Sequence, residues 1–295
     1  MSLDALDGMK IEQYRCFYAE ELRVVAEIDS TALVNAFARV PREHFLGPSP
    51  WGFHSGPSIK KPVYRTTTDV RDLYHDVFVA LKPDQLLNNG APSLIARLLA
   101  VLNLGHGKRV LHIGCGTGYY SAIMAETVGP TGSVIAVEVD PYLAVQATAN
   151  LIGYDNVNVI CQDGALYTPT SCDAILVNAG VTHPLASWLE SLNEGGVLVL
   201  PMCIGRSATS RDTMVIKITR RSNRFTAELH SILSLYSSTS LQDPALRFLL
   251  NESLETRTIT SLKSLRVDEH EKTASCIVHS AALCLSAEGI EAARL

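Results

Sequence analysis

The sequence predicts an α/β protein built on a largely parallel sheet with helices on both faces, and three observations predict it. Val110, Leu111 and Ile113 make a short apolar strand that runs into glycines at alternate positions, Gly114, Gly116 and Gly118, after which a helix opens at Tyr119. A second strand, Ser133 to Val137, ends in an acid, Glu138. Strand and helix patterns then alternate as far as Pro201, the rhythm of a doubly wound sheet. Glycines at a strand-to-helix turn let the backbone approach a ligand where a Cβ would collide. An acid ending the next strand can accept both hydroxyls of a ribose. The pattern is that of a nucleotide-binding sheet edge.

At 295 residues, 47% hydrophobic and 19% charged, the chain is long enough for one large α/β domain with elaborations. A net charge of -5 excludes a general nucleic-acid footprint, and the basic cluster Arg220, Arg221 and Arg224 reads as a solvated turn. No apolar run reaches the roughly 20 residues that span a bilayer, and the polar start does not resemble a signal peptide. A cytoplasmic location is expected. The seven cysteines at 16, 115, 161, 172, 203, 276 and 284 are scattered without a CxxC, so reduced thiols and no metal are expected.

In chain order, Ile11, Tyr14, Phe17, Leu22, Val25 and Ile28 have helical spacing, and a second helix capped by Ser30 or Thr31 ends before Pro41. VPREHF, residues 40–45, opens an irregular stretch to about Asp69 that is long enough to fold over a cleft. Residues 69–87 carry mixed strand and helix signals. Asn88-Asn89-Gly90 is a turn, and Pro92 with Ser93 begins a helix to Leu102. Beyond the glycine turn, a helix runs from Tyr119 to Val128, and Asp140 caps another from Pro141 to about Leu151. Val157 to Cys161 is a third strand, followed by Gln162-Asp163-Gly164, where a carboxylate can accept from an adenine amino group or simply form a turn. Asp173 to Val177 ends at Asn178. A helix at 184–192, a Gly195-Gly196 turn and a strand to Pro201 complete the alternation. Residues 213–219 and 225–235 then form a hairpin. The remainder offers a short helix at 246–250 and strands at 276–279 and 282–285. Three regions follow: 1–105, helical and cleft-covering; 106–225, the nucleotide-binding core; and 226–295, C-terminal strands and extension.

Two details narrow the ligand. A dinucleotide fingerprint needs its third glycine three residues after the second, whereas Gly118 follows Gly116 by two. A P-loop is excluded because no Gly-Lys-Ser or Gly-Lys-Thr follows. Alternate glycines suit one nucleoside carrying an amino-acid tail, as in S-adenosylmethionine.

In order and spacing, VPREHF, VLHIGCGTGYYSAIMAETVG, VIAVEVDP, GYDNVNVICQDG, DAILVNAG and GGVLVLP resemble the protein-L-isoaspartate O-methyltransferase family over about residues 35–220. The resemblance implies a Rossmann-like methyltransferase sheet of seven strands, the last antiparallel, with S-adenosyl-L-methionine as methyl donor and a protein, peptide or small-molecule acceptor. It implies cofactor contacts from His112, Gly114, Cys115, Gly116, Gly118, Tyr119, Glu138, Val139, Asp163, Gly164 and Asn178. Where the family carries Thr-Ile-Ser-x-Pro, this chain has Asn88-Asn89-Gly90-Ala91-Pro92, so the acceptor-site serine falls on Gly90. Asn88, Asn89 and Ser93 are the residues able to supply replacement hydrogen bonds. An ionised carboxylate acceptor needs positioning more than a base; for an amine or hydroxyl, His183 is the candidate base. The expected activity is O-methylation of a peptide or protein carboxylate. The rivals are another acceptor, a nucleoside-binding protein without turnover, and a nicotinamide oxidoreductase.

Overall fold

The computed structural model describes residues 9–55, 63–205, 210–235, 237–238 and 240–290. In chain order, α1 (Ile11–Val25) and α2 (Thr31–Arg39) precede the short strands β1 (Trp51–His54), β2 (Arg65–Thr67), β3 (Phe78–Lys82) and β4 (Leu87–Asn88). There follow α3 (Pro92–Val101), β5 (Arg109–Ile113), α4 (Tyr119–Val128), β6 (Ser133–Glu138), α5 (Pro141–Asn150), β7 (Val157–Cys161) and β8 (Cys172–Val177). The last third holds α6 (Ala186–Ser191), β9 (Leu192–Cys203), β10 (Asp212–Arg221), β11 (Arg224–Ser234), α7 (Pro244–Glu255), β12 (Ser264–Arg266), β13 (Cys276–His279) and β14 (Cys284–Ser286). The folded chain groups into two compact units, 1–108 with 115–161, and 109–114 with 162–295.

In the first unit, α4 is buried on almost every side, only Glu126 escaping, as expected of a helix apolar all round. Ser30 caps α2 by accepting from the Leu33 amide at 3.3 Å. The helix expected over residues 9–28 forms, but its buried stripe is Tyr18, Ala19 and Leu22, and Phe17 and Val25 face solvent. The ambiguous residues 69–87 resolve into a 3-10 turn at Val70–Leu73 and the strand β3, which joins β1, β2 and β4 in a four-stranded antiparallel sheet. Of the stretch read as a cleft cover, residues 56–62 lie outside the described residues. In the run Val40 to Phe45 the physical anchor is Arg42, fully buried, whose guanidinium donates to the carbonyls of Leu73 (2.6 Å), His75 (3.2 Å) and Val77 (2.8 Å). The strands β6 and β7 pair in parallel from Val134↔Val157 to Glu138↔Cys161.

In the second unit eight strands hydrogen-bond in the order β13-β14-β12-β11-β10-β9-β8-β5, so the expected seven strands are exceeded within this unit alone. β5, β8 and β9 run parallel, and from β10 onward every neighbour is antiparallel. The reversed strand is therefore followed by further strands rather than ending the sheet. The Gly195-Gly196 turn does not separate helix from strand. It is absorbed into β9, where the ladder jumps from Cys172↔Leu192 to Ala174↔Val197 and Gly195, at φ +72°, lets the intervening residues loop out. The C-terminal helix is longer than its apolar residues announce, because Asp243 accepts from the amides of Ala245 (2.9 Å) and Leu246 (3.0 Å) with Pro244 in the first turn. Among the described residues, no helix is long and apolar enough to cross a membrane.

Candidate functional site

The glycine turn is built from the end of β5. Gly114, Gly116 and Gly118 all take left-handed backbone angles, φ +77°, +57° and +95°. Gly118 is the most constrained, since a Cβ there would fall 2.8 Å from Cδ1 of Leu151. In the first unit the turn is pinned from two sides. Asn150 Nδ2 donates to the Thr117 carbonyl at 3.0 Å, and the Gly116 amide donates to Glu138 Oε2 at 2.7 Å. The other oxygen of Glu138 accepts from the Asp140 amide at 3.0 Å. The carboxylate is buried at the tip of β6, and burial raises its pKa above the ordinary 4.5 against the opposing pull of these two backbone donors.

Asp140 caps α5 through the amides of Tyr142 (3.0 Å) and Leu143 (3.2 Å) and pairs with Lys82, whose hydrogen bond holds its carboxyl below the usual range. Lys82 ends β3, and its neighbour Leu81 lies 4.0 Å from the position a Cβ on Gly116 would take. The last residues of β3 thus approach the glycine turn, a role that sequence reasoning missed because Lys82 and Asp140 are 58 positions apart.

The other residues expected in this unit are placed differently. Cys115 is buried, and burial reinforced by Glu138 pushes its thiol far up. The Tyr119 side chain turns into the interior, its ring 5.6 Å from Phe45 and 4.9 Å from Tyr120, its hydroxyl 3.5 Å from that of Tyr18; only its backbone belongs to the turn. Val139 is half exposed beside Glu138. Asn88 Oδ1 accepts from the Gly90 amide at 2.8 Å. Ser93 donates its hydroxyl to Asp76 at 2.6 Å and its amide at 2.9 Å. Asn89 differs: its Oδ1 is buried with no hydrogen-bond partner among the described residues, as are the hydroxyls of Thr117 and Tyr120. Gly90, at φ +79°, has Ile95 Cγ1 only 3.2 Å from where a Cβ would sit.

In the second unit, Asn178 follows β8. Its amide donates to the Ile113 carbonyl at 2.8 Å and its Nδ2 to the Gly114 carbonyl at 3.4 Å, while its Oδ1 is buried without a partner among the described residues. Gly164 is packed against β5, a Cβ there falling 2.4 Å from Ile113 Cγ2. Asp163 Oδ1 accepts from the Ala165 amide at 2.9 Å and from the Ser240 hydroxyl at 3.1 Å. Ser240 belongs to the extension, which also crosses the end of β8 through a bridge from Gly180 to Ser237 and a bond from the Ser238 amide to the Gly180 carbonyl at 2.7 Å. His112 is fully buried on β5, and burial drives its imidazole down to about 3, so it is neutral. His183 is half-buried with Nδ1 3.0 Å from the Thr182 hydroxyl, and its pKa is lowered by burial, with Asp243 opposing.

Two solved structures share this architecture. One, titled protein-L-isoaspartate O-methyltransferase, superposes with TM-score 0.62 at 24% identity over 88% of this chain and 73% of its own. The other is a putative protein-L-isoaspartate O-methyltransferase from Plasmodium falciparum in complex with S-adenosyl-L-homocysteine, with TM-score 0.57 at 19% identity over 76% of this chain and 98% of its own. The fold is thus that of the α/β methyltransferases.

At the level of sequence, the family model "Protein-L-isoaspartate(D-aspartate) O-methyltransferase" matches residues 18–229. A relative from Archaeoglobus fulgidus named protein-L-isoaspartate O-methyltransferase 1 is 35% identical over 198 residues, 66% of this chain and 82% of that protein. One from Methanopyrus kandleri is 34% identical over 189 residues, 62% of this chain and 74% of its own. The chain belongs to the protein-L-isoaspartate(D-aspartate) O-methyltransferase family.

Proposed function

We propose that this chain is an S-adenosylmethionine-dependent methyltransferase that O-methylates a carboxylate of a protein or peptide, the isoaspartyl side chain being the acceptor named by its family. The observation that carries the reading is Glu138, a buried carboxylate at the end of β6 bonded to the amide of Gly116. Its remaining lone pairs suit two ribose hydroxyls. The left-handed turn from Gly116 to Gly118 keeps side chains out of the space beside it. In the second unit, Asp163 is the candidate acceptor for an adenine amino group, and Asn178 and Gly114 offer polar backbone and carboxamide groups. When bound, the sulfonium supplies an electrophilic methyl group. A carboxylate acceptor is already ionised, so the chain's own task is alignment and exclusion of water rather than proton removal. Asn89, whose carboxamide oxygen is buried and unpartnered, is the strongest candidate in the Asn88 to Ser93 segment to receive a backbone N–H of the acceptor peptide, since the ionised carboxylate itself has no proton to donate. A cytoplasmic location is part of the same proposal and is supported by the seven free cysteines.

The decisive experiment offers an isoaspartyl peptide and its aspartyl counterpart with methyl-labelled cofactor. Transfer to the isoaspartyl peptide alone is expected. Cofactor binding without transfer to either would refute the acceptor assignment. One observation favours a second reading, a different peptide carboxylate as acceptor: Gly90 sits where the family's serine is expected, in a left-handed conformation that disfavours any side chain. Label on a peptide C-terminal or aspartyl carboxylate would establish it.

A further inference from the structure

The C-terminal extension carries a cluster that the methyltransferase reading leaves unused. His270, Cys276, His279 and Cys284 each present one ligating atom, and these atoms all lie within 4.8 Å of one another. The spacing, H-x5-C-x2-H-x4-C, contains no CxxC, so a sequence scan expects no metal here. The fold assembles the set through register. His279 stands opposite Cys284 and Cys276 opposite Ser286. Cys284 and Ser286 are two apart on β14 and face the same way. In a regular strand Cys276 and His279, three apart, would face opposite sides. The register shift between Cys276 and Val278 inserts one extra residue and turns both to the face of Cys284. His270 arrives from the segment 267–275, which has no helix or strand of its own.

The surroundings are those of a ligand set rather than of chance packing. Cys276 Sγ lies 3.8 Å from His270 Nε2, and the two imidazole rings are 4.8 Å apart at 72°. His270 Nδ1 is 2.8 Å from the Asp268 carbonyl; donation to that oxygen leaves Nε2 with its lone pair toward the cluster, as outer-shell partners do for ligating histidines. The Thr273 amide donates to Cys276 Sγ at 3.3 Å. His279 Nδ1 is buried with no hydrogen-bond partner among the described residues. A Cys276–Cys284 disulfide would use two of the four groups and leave the buried imidazole nitrogen unexplained.

We propose that His270, Cys276, His279 and Cys284 form a tetrahedral site for a structural zinc ion that fastens the segment 267–275 to the β13–β14 edge. Two thiolates and two imidazoles match the ligand preference of zinc, and in such a site the ligand atoms sit about 3.3–3.8 Å apart. The present spread therefore closes with side-chain adjustments of about 1 Å. Four protein ligands leave no open position, which makes the role structural. Binding releases the proton of each thiol that is still protonated.

The test uses the full chain, purified reduced, exposed to equimolar zinc and dialysed. Elemental analysis is expected to find one zinc per chain in the unaltered protein and in Cys16→Ser, an exposed cysteine outside the cluster. Less than a tenth of that is expected in Cys276→Ser and in His270→Ala. Because a cysteine change in the β13–β14 edge can disturb folding, His270→Ala, on a segment outside the strands, decides the matter when its circular dichroism is native. Cobalt substitution is expected to give thiolate-to-cobalt charge-transfer absorption with intense tetrahedral d–d bands, lost in His270→Ala. Absence of retained zinc, zinc unaffected by His270→Ala, or recovery of Cys276 and Cys284 as a disulfide from the protein as isolated would each overturn the proposal.

Discussion

Replacing Glu138 tests the cofactor assignment at its centre. The carboxylate accepts from the Gly116 and Asp140 amides, and the proposal adds two ribose hydroxyls. Hydrogen bonds to a charged group contribute about 1.5–3 kcal/mol each, so Glu138→Ala should weaken S-adenosylhomocysteine by about 3–6 kcal/mol, roughly two to four orders of magnitude in Kd. Glu138→Gln keeps one acceptor and should lose about half of that energy. Calorimetric titration measures both, with thermal unfolding recorded alongside, because the two orphaned backbone amides also cost stability. The pH dependence supplies an independent sign. Burial raises the folded-state pKa of Glu138 above 4.5. Its stability contribution is therefore fully present below the unfolded pKa and is lost as pH rises through the raised folded value. Ligand binding runs the other way, because ribose hydroxyls need the ionised acceptor. Affinity should fall on acidification, beginning above pH 4.5, and Glu138→Gln should lack that inflection. A Kd within threefold of the unaltered protein in a folded Glu138→Ala variant would refute the ribose assignment.

Three further outcomes are expected. Gly118→Ala combines a left-handed backbone with a contact 2.8 Å from Leu151 and should cost about 2–5 kcal/mol; a Leu151→Ala background should relieve part of this in a double-mutant cycle of chemical denaturation. Arg42→Met strands two buried carbonyls and a partly buried one and should lower stability by about 3 kcal/mol or more, and Arg42→Lys should not restore it, since an ammonium lacks the fork that spans them. Gly90→Ser should cost about 1–3 kcal/mol without raising the rate of isoaspartyl methylation, measured by denaturant midpoint and labelled transfer; a rate gain at unchanged stability would show that the hydroxyl fits.

What the sequence reveals is what local chemistry dictates. The strand ending at Ile113, the three glycines and α4 are legible because alternate glycines before an apolar helix have few other uses, and β6 announces Glu138 by ending there. β13 is legible at its full length, Cys276–His279. The sheet formed by β1, β2, β3 and β4 is not, because its strands are two to five residues long and are defined by pairing across loops rather than by periodicity. The Gly195-Gly196 pair carries a strong turn signal, yet β8 pairs with β9 on either side of it, at Leu192 and again from Val197, so the turn becomes an irregularity within one strand. The bond from Ser240 to Asp163 spans 77 positions, and no local pattern foretells it. The same holds for the four ligating side chains of the extension, which converge through one bulge.

The segment from Asn88 to Ser93 shows how folding sorts candidates that the sequence leaves equal. Read alone, Asn88, Asn89 and Ser93 are interchangeable substitutes for a missing hydroxyl. In the structure Asn88 closes a turn onto the Gly90 amide, and Ser93 commits both its amide and its hydroxyl to Asp76, which thereby anchors the first turn of α3. Diverting either to a substrate would cost a local hydrogen bond and loosen the turn that presents the segment. Asn89 is held by its amide, which donates to the Val79 carbonyl at 2.8 Å, while its side-chain oxygen stays buried and unpaired. A buried acceptor without a partner is costly in the free protein, and that cost is recovered when a ligand donates to it. The preference for Asn89 over its neighbours thus rests on hydrogen-bond accounting: of the three, it alone has buried side-chain acceptor capacity left unused.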